Sequence, residues 1–190
     1  TAMTIDTNQR VGIGETSPDE LLHIKSSTAS EPVIKLENSG DVTNGAQLHF
    51  VMSTTSEGDD DIPGTIRFKG MNSANAETEF STIYTKNIDV TDGTEDSEMH
   101  FRTMAAGTLD SRVVIKSGNV GIGTSSPTNL LHLHGGSMYL QTGQVITWNN
   151  GDGQIGMISG YHFRIQTYTG SSLTEKMRVT SAGDVGIGAT

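Results

Sequence analysis

Short stretches in which apolar and polar residues alternate recur along most of the chain. Clear examples are residues 65–69 (TIRFK), 98–103 (EMHFRT) and 111–116 (SRVVIK). Alternation with a period of two is typical of β-strands that bury one face. We find no window of ten or more residues with the 3.6-residue period of an amphipathic helix. The pattern therefore predicts an all-β protein with short strands.

The same pattern predicts further strands in both halves of the sequence. Residues 33–37 and 46–52 are separated by turn signals that include Asn44-Gly45, a dipeptide typical of hairpins. Residues 80–85 and 88–90 are predicted as two strands or as one bent strand. A series of hairpins is predicted after Leu133, with strands at residues 138–140, 145–148, 155–158 and 161–165.

One motif occurs twice in full. Residues 11–24 read VGIGETSPDELLHI, and residues 120–133 read VGIGTSSPTNLLHL. A third copy begins at Val185 as VGIGAT. Gly121 follows Gly12 by 109 residues and precedes Gly186 by 65, so the inserts vary in length while the motif stays fixed. The structural repeat positions are Val11, Gly12, Ile13, Gly14, Pro18, Val120, Gly121, Ile122, Gly123, Pro127, Val185, Gly186, Ile187 and Gly188.

The motif has a clear structural meaning. In a strand, Val11 and Ile13 lie on one face and the two glycines on the other. Glycine on one face predicts that another backbone approaches closely or that the strand bends, and both fit tight packing between chains. Pro18 has no N–H to donate, so Ser17-Pro18 predicts a turn that ends the strand.

The repeats divide the sequence into five predicted regions. Tandem units of this kind pack mainly on their neighbours and cannot bury their apolar faces alone. Because the sequence starts and stops inside repeat units, we expect it to be a segment of a longer protein. The regions are the end of one repeat with its connector (1–25), a large β-hairpin module (26–119), a second connector (120–135), a smaller β-hairpin module (136–184) and the start of a third connector (185–190).

Composition narrows the classes of function. The net charge of −10, with scattered Lys and Arg, argues against nucleic acid as a partner. The absence of cysteine excludes disulfides and thiolate metal sites. No apolar run approaches the roughly 18 residues of a membrane span, so no membrane insertion is expected. Leu, Ile, Val and Phe make up about 22% of the chain, a sparse core that favours an oligomer.

Two histidines form the candidate metal site. His23 and His132 occupy the same repeat position, and three copies around an axis could surround a transition metal. We prefer an outward or hydrogen-bonded histidine, because no neighbouring carboxylate in the repeat supports a metal. We therefore expect no metal and no cofactor.

Acidic and aromatic clusters are further candidates. Residues 59–61 and the group Asp92, Glu95, Asp96 and Glu98 do not match a calcium-binding loop, so solvated turn charge is the preferred interpretation. The preferred role of the aromatic residues before the third motif is to fill a trimer core, and the alternative is to stack on a glycan. These aromatic residues are Tyr139, Trp148, Tyr161 and Tyr168.

The sequence also resembles a known class of protein. The run SGNVGIGTSSP at 117–127, preceded by LDSRVVI and by the turn at 91–96, resembles the shafts of bacteriophage tail fibres and related virion appendages. In such proteins, similar repeats often precede an intramolecular chaperone domain of the endosialidase type, whose catalytic dyad has no counterpart here. The resemblance covers residues 64–133 and 144–190, and residues 1–24 through the motif.

The resemblance implies an elongated homotrimer whose chains interweave about a three-fold axis. It implies a non-enzymatic structural segment of a virion tail fibre, with other virion tail proteins as partners and a host surface glycan or receptor at the fibre's target. The motif itself fits a trimer, because residues such as Val11, Ile13 and Leu22 complete apolar layers only with symmetry mates.

Three alternatives stay open from the sequence. One is a glycan- or receptor-binding module, in which the inserts 40–107 and 136–170 contact the target. A second is an enzyme that trims a surface polysaccharide, although no G-x-S-x-G motif is present. A third is a bacterial surface filament, whose sequence would follow the same physical rules.

Overall fold

A computed structural model describes residues 2–40, 43–141, 144–148, 153–158 and 162–188. The described residues form three β-sheets, none of them closed, and contain no helix, which confirms the all-β prediction. The chain divides into two compact units, residues 1–51 and residues 52–190.

The first unit contains a three-stranded sheet. Its strands are β1 (Met3–Ile5), β2 (Val11–Ile13) and β3 (Leu22–Ile24), in that order across the sheet. β2 pairs antiparallel with β1 and parallel with β3. The strands predicted at 33–37 and 46–52 are not formed, because these two ranges pair with no strand in the described part of the chain.

The second unit contains a six-stranded sheet in sequential order, here called the large sheet. The neighbours are antiparallel except for the last pair, which is parallel. The region predicted as one bent strand or two is a single strand of 13 residues with β-bulges on its pairings. The strands are β4 (Gly64–Met71), β5 (Glu77–Asp89), β6 (Asp96–Ala105), β7 (Thr108–Lys116), β8 (Asn119–Ile122) and β9 (Leu131–Leu133).

The second unit also contains a five-stranded antiparallel sheet, again in sequential order. The strand predicted at 138–140 is not formed. Tyr161, which the sequence placed in a strand, lies outside the described residues. The strands are β10 (Val145–Trp148), β11 (Gly153–Ile158), β12 (His162–Tyr168), β13 (Leu173–Val179) and β14 (Val185–Ile187).

The hydrophobic core of the single chain is very small. Among the described residues, the largest fully buried side chains are Val114 on β7, at 0% exposure, and Pro18 in the first unit. The neighbours of Val114 on the same face include a buried threonine, glutamate and histidine. Most of the apolar residues that the alternating pattern predicted to be buried lie on the other face of the large sheet. That face is not covered by the described chain.

Candidate functional site: the connectors and the two faces of the large sheet

Both full copies of the repeat fold into the same small motif. In the first connector (residues 11–24), β2 runs parallel to β3, with Val11 opposite Leu22 and Gly12 opposite His23. In the second connector (residues 120–133), β8 pairs with β9 in the same register, so that Gly121 lies opposite His132. Parallel strands usually need a crossover of a dozen or more residues. Here about eight residues suffice, and the Gly and Pro signature is what allows this tight crossover.

The glycines are required by close approach of the chain to itself. A Cβ on Gly12 would lie 2.2 Å from the Glu15 carbonyl oxygen, and one on Gly121 would lie 2.6 Å from that of Thr124. The sequence predicted a close backbone approach and attributed it to packing between chains. The structure corrects the second part, because the approaching backbone is the connector's own loop.

The second glycine of each connector needs its special backbone conformation. Gly14 has a φ of 71° and Gly123 a φ of 77°, in the left-handed region that favours glycine. Beside them, the N–H of Lys25 donates to the Ile13 carbonyl, and that of His134 donates to the Ile122 carbonyl, each at 2.9 Å. The buried Pro18 ring completes the first loop. The repeat is therefore a structural signature.

The third copy shares the part of this geometry that the structure describes. β14 pairs antiparallel with β13 so that Gly186 lies opposite Arg178. This matches the pairing of β8 with β7, where Gly121 lies opposite Val114. Gly188 also has a positive φ, at 66°.

The polar side chains of the two full connectors differ. Glu15 binds Lys25, and the hydrogen bond from Lys25 lowers the pKa of Glu15 to about 2. His23 Nδ1 lies 2.6 Å from Asp19 Oδ1, although the two groups are not aligned as a hydrogen bond. In the second connector, Nδ1 of His132 instead accepts the N–H of Thr128 at 3.4 Å.

The two candidate metal ligands thus occupy the middle of β3 and of β9. Sequence reasoning missed Asp19 as a neighbour of His23, and the four-residue spacing was the available signal. The second connector has Thr128 in place of that carboxylate. Among the described residues, no group of three or more histidine and carboxylate side chains could hold a metal ion.

One face of the large sheet, here called the apolar face, is lined by hydrophobic residues and left uncovered. Phe68 is 51% exposed and Leu131 is 56% exposed. Cross-strand register places the members of this face side by side from β4 to β9. They are Ile66, Phe68, Ile83, Met99, Phe101, Val113, Ile115, Val120, Ile122, Leu131 and Leu133.

The opposite face, here called the polar face, holds a buried charge cluster. Glu98 on β6 is 5% exposed, and its carboxylate lies 2.9 Å from Lys116 Nζ and 3.1 Å from Lys86 Nζ. Lys86 also contacts Asp60 at 2.7 Å. His100 Nε2 lies 2.9 Å from Glu98, and its ring stacks on Tyr84 with centroids 4.6 Å apart.

The cluster keeps Glu98 ionised. Burial raises the pKa of the carboxyl, but the contacts with His100, Lys116 and Lys86 outweigh it and lower the pKa to about 2. A buried carboxylate is stable only when such partners satisfy it. The sequence placed Glu98 among solvated turn charges, and that prediction was wrong. Alternation alone does not show which face of a strand is covered.

Three members of the polar face lie in the order found in serine hydrolases. Ser111 Oγ lies 2.8 Å from His100 Nδ1, and His100 in turn contacts Glu98. A hydrolase also needs a substrate cleft and donors for an oxyanion. The three described clefts are lined by other residues, and Glu98 is shared with two lysines. This arrangement is explained by polar packing within the sheet.

Other acidic residues of the two candidate groups accept hydrogen bonds from backbone N–H groups or from a side chain. Asp59 accepts the N–H of Val90, Asp61 accepts that of Gly58, and Asp96 accepts the hydroxyl of Ser117. Each of these three carboxylates therefore has a structural partner within the chain. This geometry agrees with the preferred interpretation of turn charge.

The structure describes some of the aromatic residues near the five-stranded sheet. Tyr139 is 87% exposed and borders an open cleft of about 360 Å³ together with Met138, Ile146 and Phe163. Tyr168, at the end of β12, is also exposed. Tyr161 and the side chain of Trp148 lie outside the described part of the chain.

No protein-family model matches the chain, and a search of curated proteins finds no match. Among the described residues, no helix has the length and apolar character needed to cross a membrane.

Proposed function

We propose that the chain is a structural segment of a homotrimeric phage tail fibre that supports host recognition and attachment. The observation that carries this proposal is the apolar face, which runs from β4 into the second connector at β8 and β9. A continuous exposed face of apolar side chains is expected to be covered by a partner. In a three-fold homotrimer the same face of each copy can turn toward the axis, where it packs against the corresponding faces of the other two copies.

The repeated connectors support the same proposal. Each is a self-contained motif that presents apolar residues outward, such as Leu22 and Leu131. Fully burying one such side chain is worth roughly 1.5–3 kcal/mol, and a trimer buries three per layer. Repeating the layer along an axis would stabilise a fibre without a large core in any single chain. The proposed role is mechanical and requires no catalytic group.

An unheated denaturing gel tests the interweaving. Chains that wrap around one another can separate only when contacts with two neighbours break together. We expect the unheated sample to migrate as a trimer in SDS at room temperature and as a 20.2 kDa chain after boiling. A monomer band without heating would contradict the interweaving.

A glycan- or receptor-binding module is the second candidate. The exposed Tyr139 beside an open cleft favours it, because an aromatic ring with one free face can stack on a sugar. Retention of the protein on a host surface polysaccharide, lost on Tyr139→Ala but kept on Tyr168→Ala, would support this candidate. Equal retention of both variants would contradict a role for this cleft.

A further inference from the structure

The dipeptide Asn44-Gly45, which is typical of hairpins, lies in no hairpin among the described residues. Both of its residues are exposed, and a Cβ built on Gly45 would have nothing within 4 Å. The Gly45 N–H takes part in no backbone–backbone hydrogen bond in the described part of the chain. The Asn44 carbonyl accepts the side-chain amide of Asn38 at 3.3 Å, a long bond that does not involve the Gly45 nitrogen. This nitrogen is therefore accessible.

An accessible Asn-Gly nitrogen has a chemical consequence, because asparagine is one of the labile residues of proteins. The backbone nitrogen of the glycine attacks Cγ of the asparagine, and the new N–Cγ bond closes a succinimide ring. The Cγ–Nδ2 bond breaks, and ammonia leaves with the proton that the backbone nitrogen loses. Water then opens the ring to aspartate or to its β-linked isomer. Glycine favours this reaction, because it has no Cβ to shield the nitrogen or to restrict the backbone.

Two other sites in the chain show how a backbone nitrogen is protected from this reaction. In Asn119-Val120, which lies in β8, the second N–H donates to the Leu130 carbonyl at 2.9 Å. An aspartate can close the same ring with loss of water, but in Asp92-Gly93 the glycine N–H donates to the Glu95 carboxylate at 3.1 Å. Each of these nitrogens must give up a hydrogen bond before it can react. The Gly45 nitrogen has no such bond in the described chain.

We propose that Asn44 is a site of spontaneous deamidation in the folded protein. The reaction replaces a neutral amide with a carboxylate, so the net charge of the modified chain changes from −10 to −11. In the β-linked product the backbone also passes through the former side chain, which changes the path of the chain at this position. The reaction needs water and no enzyme, cofactor or second copy of the chain.

Peptide mapping by mass spectrometry, after incubation of the intact protein at mildly alkaline pH, tests this site. Aspartate and isoaspartate should accumulate at position 44 roughly ten-fold or more faster than at position 119, where β8 must open first. The map reads the other Asn-Gly, at residues 150–151 and outside the described part of the chain, separately. Equal or slower reaction at position 44 than at position 119 would overturn the proposal.

Two controls separate the chemistry from the fold. Gly45→Ala places a methyl group where nothing lies within 4 Å, so the fold should stay intact while deamidation at Asn44 slows roughly ten-fold. An unchanged rate in this variant would contradict attack by the nitrogen at position 45. The native chain should also react at Asn44 about as fast as the same chain in denaturant. A native rate far below the denatured one would overturn the proposal, because it would show that the folded protein protects this peptide group.

Discussion

The polar face and the apolar face of the large sheet are built on the same strands, yet a single chain covers them very differently. The polar face buries Glu98, His100 and Thr82 beside Val114. The apolar face leaves Phe68 and Leu131 about half exposed. A monomeric sheet would normally bury its apolar face. This uncovered apolar face is the observation on which the proposed homotrimer rests.

The comparison also separates two sources of stability. The polar face makes its contacts within the chain, through the ion pairs of Glu98 with Lys86 and Lys116 and the hydrogen bond between His100 and Ser111. These contacts link β5, β6 and β7 within one chain. In the proposed homotrimer, neighbouring copies would bury the apolar face. Substitutions on the two faces should therefore have different effects, the first on unfolding and the second on assembly.

The largest expected effect comes from charging the apolar face. The double variant Ile66→Asp/Phe68→Asp should abolish the trimer, because it removes roughly 3–6 kcal/mol of burial per copy and places two carboxylates in the interface. Light scattering should then give the mass of a single chain.

A matched control lies on the same strand. Arg67→Gln/Lys69→Gln changes the net charge by the same amount on the polar face, where both residues form exposed ion pairs. Exposed pairs contribute about 0–1 kcal/mol each, so this variant should keep the trimer. Dissociation of both variants would show that charge, and not the apolar face, controls assembly.

The next effect in size concerns the buried charge cluster. Glu98→Gln leaves Lys86 and Lys116 beside a neutral group, and we expect the free energy of unfolding to fall by about 2–4 kcal/mol. Denaturant unfolding measures this change. Glu77→Gln, which breaks the exposed pair with Lys69, should cost less than about 1 kcal/mol. A comparable loss in both variants would contradict the structural role of the cluster.

The same cluster predicts a dependence on pH. Because the folded-state pKa of Glu98 is lowered from 4.5 to about 2, its contribution is present above pH 4.5 and is lost as the pH falls toward 2. The loss should be on the order of 3 kcal/mol. Unfolding measured across this range should show a steeper fall for the native chain than for Glu98→Gln. Parallel curves would exclude Glu98 as the source.

The smallest expected effect lies at the connector, on the polar side of β8. Gly121→Ala would place a Cβ 2.6 Å from the Thr124 carbonyl, and overpacking of this kind costs about 1–3 kcal/mol. Gly136→Ala, where nothing lies within 4 Å, should change stability by less than about 0.5 kcal/mol. Equal thermal unfolding of the two variants would contradict the tight crossover.

Much of the sheet structure could be predicted from local pattern. Alternation located β4, β6 and β7, and the repeat located the connectors, because both signals depend only on residues that are close together in the sequence. The parallel pairing of β2 with β3 could not be predicted, since it depends on how the Gly14 to Pro18 loop folds back. The burial of Glu98 was also missed, because its lysine partners come from two other strands.

The strands predicted at 33–37 and 46–52 fail for a different reason. Their alternation is typical of strands, yet the structure forms no strand there and leaves apolar side chains such as Ile34 and Leu48 exposed. A strand needs a neighbour for its backbone, and the described chain offers none at this place.

The mass of the protein in solution tests the central claim most directly. Light scattering on the purified chain should give about 61 kDa, three copies of 20.2 kDa, because the apolar face and the connectors need two neighbours for cover. A stable, compact species of 20.2 kDa would contradict the proposed fibre segment.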